Sequence, residues 1–202
     1  MKIAMIMEGD TEKLFLPCLR AFLNLRLPGQ MPRLIPNIYN GRIDKQEKLK
    51  RVVEALLQGP NPDADHVIAL TDVYTGSVDF VDAQDAKQKM RLWVGPNPRF
   101  HPHAAQYDFE AWLLPYWPAI QLLARHNRAA PSGAPEAVNH NHPPSYHIKE
   151  IFRTGKSPRH YIKTRDAGKI LEGKDLTVAA MACPELKALI NTILTLCGGQ
   201  SI

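Results

Sequence analysis

Apolar residues in the first half of this chain fall into two spacings. "KIAMIM" (residues 2–7) and "HVIALTD" (66–72) are nearly unbroken apolar runs that each stop at a carboxylate, the signature of parallel strands buried on both faces. "RLIPNIY" (33–39) reads as a further strand, interrupted by Pro36. Asp10 is placed as the N-cap of a helix over 11–25, with Glu12 in the first turn, where the helix dipole favours negative charge. Pro17 is expected to kink or split that helix. After a turn at Asn40-Gly41, "DKQEKLKRVVEALLQG" carries Leu49, Val52, Val53, Leu56 and Leu57 at helical spacing and ends at Gly59-Pro60. A polar helix around 78–91 and a strand around 99–106 follow. The order β-α-β-α-β-α-β predicts an open, mostly parallel sheet with covering helices. Such sheets bind ligands beyond the carboxyl ends of their strands, where Glu8 and Asp72 stand.

The second half has another texture. "DFEAWLLPYWPAIQLLARH" is strongly apolar, helical and broken by Pro115 and Pro118. Residues 127–146, "NRAAPSGAPEAVNHNHPPSY", show no periodicity and read as a mobile loop. From 147 onward short helices are expected, ending in a helix over 184–197. The organisation predicted is therefore an α/β core over 1–126, the loop over 127–146, and a basic helical extension over 147–202 packed on the core.

Composition narrows the class. Of the 202 residues, 45% are hydrophobic and 22% charged, as in ordinary globular domains. The net charge of +5 is compatible with a nucleic-acid partner without requiring one. Cys18, Cys183 and Cys197 form no C-x-x-C pair, which argues against a disulfide framework or a zinc ribbon. The first apolar run is too short for a signal peptide, and no segment approaches the ~20 apolar residues of a membrane helix. A cytoplasmic location is expected.

The candidate chemistry lies in the carboxylates. Taken singly, each has an ordinary explanation: Glu8 and Glu12 as helix-start acids, Asp72 as a turn former, Asp108 as an N-cap. Glu110 is harder to dismiss, because Phe109, Ala111, Trp112, Leu113 and Leu114 surround it. A charge there must pair, with an arginine for example, or coordinate a metal. Several acids converging on one cleft repel each other, and a divalent cation is the usual relief. Magnesium takes hard oxygen ligands together with substrate phosphates, which suits phosphodiester chemistry.

"MEGDTEKLFL", "IALTDVYTG" and "YDFEAWLL" resemble, in that order, the motifs of the Toprim-like family called domain-of-unknown-function 4276. "GKSPRHYIKTRDAGKILEGKDLTVAAMACPELKALINTIL" is similar to that family's basic Pro...Tyr-x-Lys segment and closing Cys-Pro helix. The resemblance spans nearly the whole chain. It implies a Rossmann-like Toprim fold, related to the Toprim domains of overcoming-lysogenization-defect nucleases, whose acids bind Mg2+ or Mn2+. It also implies a partner ATPase of AAA or ABC type and a place in phage defence. By position, Glu8 matches the Toprim glutamate, Glu12 the second acid of E-G-x-T-E, Asp72 the first acid of D-x-D and Glu110 the later helical acid. The implied metal set is Glu8, Glu12, Asp72 and Glu110. One departure stands out: Tyr74 replaces the second acid of D-x-D, and Asp79 is the nearest acid able to substitute if its loop folds back.

Between 149 and 175 lie Lys149, Arg153, Lys156, Arg159, Lys163, Arg165, Lys169 and Lys174, against Glu150, Asp166, Glu172 and Asp175. This is either a solvated, ion-paired surface or a strip that neutralises nucleic-acid phosphates. Lys156, Arg159, Lys163 and Arg165 are the candidate phosphate ligands. Lys163, in the Tyr-x-Lys element, is the candidate catalytic cation beside Glu8 and Asp72. "RTGKSP" only imitates a P-loop, and His101-Pro102-His103 and His140-Asn141-His142 lack the spacing of a zinc site. The resulting expectation is a Mg-dependent Toprim-type nuclease working on DNA or RNA. The alternatives are a non-catalytic module that binds an ATPase or nucleic acid, and a nucleotide-handling phosphatase or transferase. Self-association is left open.

Overall fold

A computed structural model describes residues 1–9, 13–43, 45–74, 79–138, 142–156 and 159–202. Four strands, β1 (Lys2–Met7), β2 (Arg33–Ile38), β3 (His66–Asp72) and β4 (Phe100–Ala105), form one all-parallel sheet in the order β2-β1-β3-β4. The two prolines within strands, Pro36 and Pro102, both fall on the edge strands β2 and β4, where a missing N–H costs no ladder bond on the open side.

Strand alternation divides the core in two. Ile3, Met5, Met7, Ile68 and Leu70 point to one face, and Ala4, Ile6, Val67 and Ala69 to the other. The second face is covered by α2 (Gln46–Leu57) and α3 (Ala83–Val94), the latter N-capped by the Asp82 carboxylate, which accepts from the Asp85 N–H at 2.7 Å. The first face is covered by α1 (Leu16–Arg26) and by the whole second half of the chain. Among the described residues that half comprises three 3-10 turns (Phe109–Trp112, Leu114–Tyr116 and Pro135–Ala137), α4 (Trp117–Ala124), α5 (Pro144–Thr154), α6 (Lys163–Leu171), α7 (Leu176–Ala182) and α8 (Pro184–Leu196). Ile148, Phe152, Ile170, Leu189 and Ile193 of the C-terminal helices join the same cluster as Ile3 and Met5. They form one layer of an α/β/α sandwich.

The pattern over 11–25 is split just before Pro17: Lys13 is helical, residues 14–15 turn, and α1 begins at Leu16, so the ring occupies the first turn, where its absent N–H has no intrahelical partner to lose. Asp10 and Glu12, expected as cap and first-turn acid, lie outside the described residues, as does His140. The 127–146 segment, expected to be a mobile loop, is tied to the rest of the chain at Arg128 and Glu136. Arg128 O accepts from Trp117 Nε1 at 2.8 Å and Gln121 Nε2 at 2.9 Å, while Glu136 accepts from Trp112 Nε1 at 3.1 Å and Glu185 N at 3.0 Å. The buried indoles need acceptors, and this stretch supplies them. Among the described residues no helix is long and apolar enough to cross a membrane.

Close packing between α4 and α5 makes Gly155 obligatory, because a Cβ there would lie 2.0 Å from the carbonyl oxygen of Ala124. Gly155→Ala is expected to cost roughly 1–3 kcal/mol of unfolding free energy in a denaturant titration.

Candidate active site at the carboxyl edge of the sheet

The chain order changes direction between β1 and β3, so the crevice beyond their carboxyl ends is the topological switch point of the sheet. Met7 pairs in register with Leu70, which sets Glu8 beside Thr71 and Asp72. Both acids are buried, Glu8 at 7% exposure and Asp72 at 3%. The paired strand ends of β3 and β4 bring Asp72 opposite Ala105. From there the chain turns through Tyr107, whose φ of 73° is left-handed, to Asp108 and the first 3-10 turn carrying Glu110.

Glu8 is held by three donors. Oε1 accepts from Ile43 N at 3.1 Å and from the Thr71 hydroxyl, and Oε2 accepts from the Tyr74 hydroxyl at 2.7 Å. The Asn40-Gly41 turn delivers Ile43: both residues take positive φ, and Gly41 N also donates to Glu8 O at 3.2 Å. Tyr74 therefore fills the D-x-D position by gripping Glu8. Asp79, the candidate substitute, is ion-paired with Arg42 at 2.8 Å.

Glu110 is fully buried, and its partner is a lysine rather than an arginine. Oε2 meets Lys163 Nζ at 2.8 Å, and Oε1 accepts from Tyr161 OH at 3.3 Å. Burial pulls the Lys163 ammonium down, but the Glu110, Asp72 and Asp108 carboxylates outweigh it and hold Lys163 protonated well above its ordinary range. Burial next to Glu110 also pushes the Tyr161 hydroxyl up, so it stays a donor. Asp108 stands at the N-cap position of the first 3-10 turn but makes no side-chain cap bond there. Its Oδ2 accepts from Ser145 N at 3.2 Å, and its buried Oδ1 has no hydrogen-bond partner among the described residues. Burial, then repulsion from Glu110, pushes its pKa up to about 6.

The basic strip is less open than its composition implied. Arg159 and Arg165 both grip the buried Asp166 in bidentate fashion, with N···O distances of 2.8 and 3.1 Å from Arg159 and 2.9 and 3.0 Å from Arg165. Burial opposes ionisation of Asp166, but the two guanidiniums and the Ile162 N–H overcome it and hold the carboxyl well below its usual range. Lys156 is exposed and lines an open cleft of about 660 Å³ with Arg125 and His126. His103 faces α8, with Nε2 3.0 Å from Thr192 Oγ1, and burial lowers it to about 3; His101 lies against His66 at 3.2 Å.

A hard divalent ion fits this edge in kind. Carboxylates are acceptor-only oxygens, Asp108 Oδ1 is buried with no donor among the described residues, and magnesium needs only one or two carboxylates beside water and phosphate. In number the edge is sparing: among the described residues no group of three or more His, Cys, Asp or Glu is placed to hold a metal. Glu110, expected as a ligand, has both oxygens engaged by Lys163 and Tyr161. The motifs had pointed to Glu8, Asp72, Glu110 and Lys163. They did not point to Thr71, Arg42 or the Asp108–Ser145 contact, because these depend on where loops return rather than on periodicity.

An all-parallel sheet with buried acids at its switch point defines an open, Rossmann-like α/β protein. The family described as "Domain of unknown function (DUF4276)" matches residues 7–194, and the chain belongs to it. Among solved structures, the C-terminal region of the Burkholderia pseudomallei OLD protein aligns over 96% of this chain and 98% of that chain, with a TM-score of 0.54 and 11% identity. The C-terminal region of the Xanthomonas campestris pv. campestris OLD protein aligns over 95% and 97% at 16% identity, with a TM-score of 0.43. Identities this small speak for the fold alone. No curated protein matches the chain.

Because Asp108 takes up a proton on folding, its ionisation destabilises the native state as pH rises through the interval from its unfolded value near 4 to about 6. Asp108→Asn is expected to raise stability at pH 7–8 by roughly 1–3 kcal/mol and to flatten the dependence between pH 4 and 6. Urea unfolding at several pH values measures both.

Proposed function

We propose that this chain is a Toprim-type phosphodiesterase that cleaves nucleic acid with Mg2+ or Mn2+. One observation carries the reading: Glu8, Asp72, Asp108 and Glu110, all buried, crowd one end of the sheet with the Lys163 ammonium among the last three. Stability alone does not favour such a cluster, since apolar side chains of similar volume serve as well or better. Perturbed ionisable groups gathered in a cleft are a mark of reacting centres.

Glu8 and Asp72, with Glu12, would hold the cation, which supplies Lewis-acid polarisation of a phosphoryl oxygen. Glu110 serves by fixing Lys163, whose ammonium offsets negative charge developing on the phosphate. Asp108, titrating near pH 6, exchanges a proton within the working range of a general acid or base. Lys156, and the outward N–H groups of Arg159 and Arg165, would hold flanking phosphates. A partner ATPase and a role in phage defence rest on the family resemblance. The fold likeness to the C-terminal region of OLD proteins is compatible with both.

Tyr74 favours a second reading, a non-catalytic module, because its hydroxyl sits on the Glu8 oxygen that a cation would use. Calorimetric titration of Mg2+ and Mn2+, with plasmid and tRNA cleavage followed in the same samples, separates the two. The nuclease reading expects metal binding that Glu8→Ala/Asp72→Ala abolishes. Removing Lys163 alone would strand Glu110 in the core, so the charge is tested with Lys163→Gln/Glu110→Gln. That pair is expected to lower kcat by about 10²–10³ while metal still binds. Wild-type protein that takes up no metal at millimolar concentration would sink the catalytic reading.

A further inference from the structure

Arg42 stands beside the acidic edge in a way the proposed chemistry does not yet use. The left-handed pair Asn40-Gly41, at φ 56° and 128°, turns the chain so that Ile43 N reaches Glu8 while the Arg42 guanidinium lies over the Tyr74 ring, 4.3 Å from its centroid. The Tyr74 hydroxyl, at the edge of the same ring, donates to Glu8 at 2.7 Å. Arg42 is paired with Asp79 at 2.8 Å, and the two side chains are 42% and 28% exposed.

Resting on the nuclease reading, we infer that Arg42 is a phosphate-binding residue. It seats the phosphodiester next to the one being cut, exchanging Asp79 for a phosphate oxygen. A guanidinium carries five N–H donors in a planar fork matched to phosphate, and it stacks on aromatic faces. An ion pair open to solvent is weak and exchanges readily, so Asp79 is a placeholder that a more highly charged strand displaces. Tyr74 lies between Arg42 and Glu8. The seat for the neighbouring phosphate is thus one ring away from the carboxylate at the switch point. Asp79 has a part in this arrangement without being a metal ligand.

The test is binding without chemistry. Anisotropy of short fluorescein-labelled oligothymidine and oligouridine is measured in EDTA between about 50 and 200 mM salt, where phosphate contacts set the slope of log K against log salt. Arg42→Gln is expected to weaken both oligonucleotides about 5-fold and to reduce the slope by about 0.7, the loss of one phosphate contact on a single strand. Asp79→Asn is expected to tighten binding about 3-fold by removing the competitor, an effect that a merely structural ion pair would not produce. Arg42→Lys should restore the slope; if it does not, the loss came from the loop's conformation and the inference falls. The inference also falls, with the nuclease reading intact, if wild type binds but Arg42→Gln keeps its slope or Asp79→Asn weakens binding. If wild type binds neither oligonucleotide and cleaves nothing, both fall together. Thermal midpoints of all three variants check that each is folded.

Discussion

The pairing of Glu110 with Lys163 is the interaction on which most of the architecture depends. Glu110 sits on a 3-10 turn immediately past β4, with no exposure and with aromatic and aliphatic neighbours on both sides. A carboxylate in that position is tolerable only with a cation delivered to it. The cation comes from the first residue of α6, so the start of α6 must be held over the carboxyl edge of the sheet. The chain just before it is correspondingly fixed. Tyr161 packs against Phe152 and donates to Glu110, and Asp166 ties Arg159, Arg165 and the Ile162 N–H together. The second half of the chain is thus docked by charge as well as by its apolar face.

The same edge keeps a second buried acid by different means. Glu8 accepts from an amide and two hydroxyls, none of them carrying a formal charge. Glu110 has a fixed cation and is neutralised by it. Asp108 lies near that pair with one oxygen lacking a donor among the described residues, and burial together with the Glu110 charge raises its proton affinity. Three carboxylates at one edge thus sit in three different surroundings.

This economy also accounts for the behaviour of the basic segment. Half of its eight cations are matched to acids of the protein itself: Arg153 to Glu150, Arg159 and Arg165 to Asp166, Lys163 to Glu110. The clamp on Asp166 is built from bidentate contacts to a buried carboxylate, the kind of pair that fixes geometry. Positive charge counted along the sequence consequently overstates what the folded surface presents to a polyanion, while Arg42 and Arg125, outside the segment, reach the surface from loops and helix ends.

Apolar runs ending in carboxylates were enough to read β1 and β3, their parallel arrangement, and the placement of Glu8 and Asp72 at strand ends, because burial on both faces leaves an unbroken hydrophobic record. Helical spacing likewise marked α2 and α8 within a residue or two of their observed bounds. The resemblance of four ordered motifs carried the family. Only the tertiary structure decided that Glu110 answers to a lysine 53 positions later, that Tyr74 closes on Glu8, that Arg159 and Arg165 turn inward, and that residues 128–138 are anchored by indole donors. The reason is physical. Periodicity records which positions leave water, but the partner of a buried polar group is set by where a distant stretch of chain returns, and that is settled by packing the whole core.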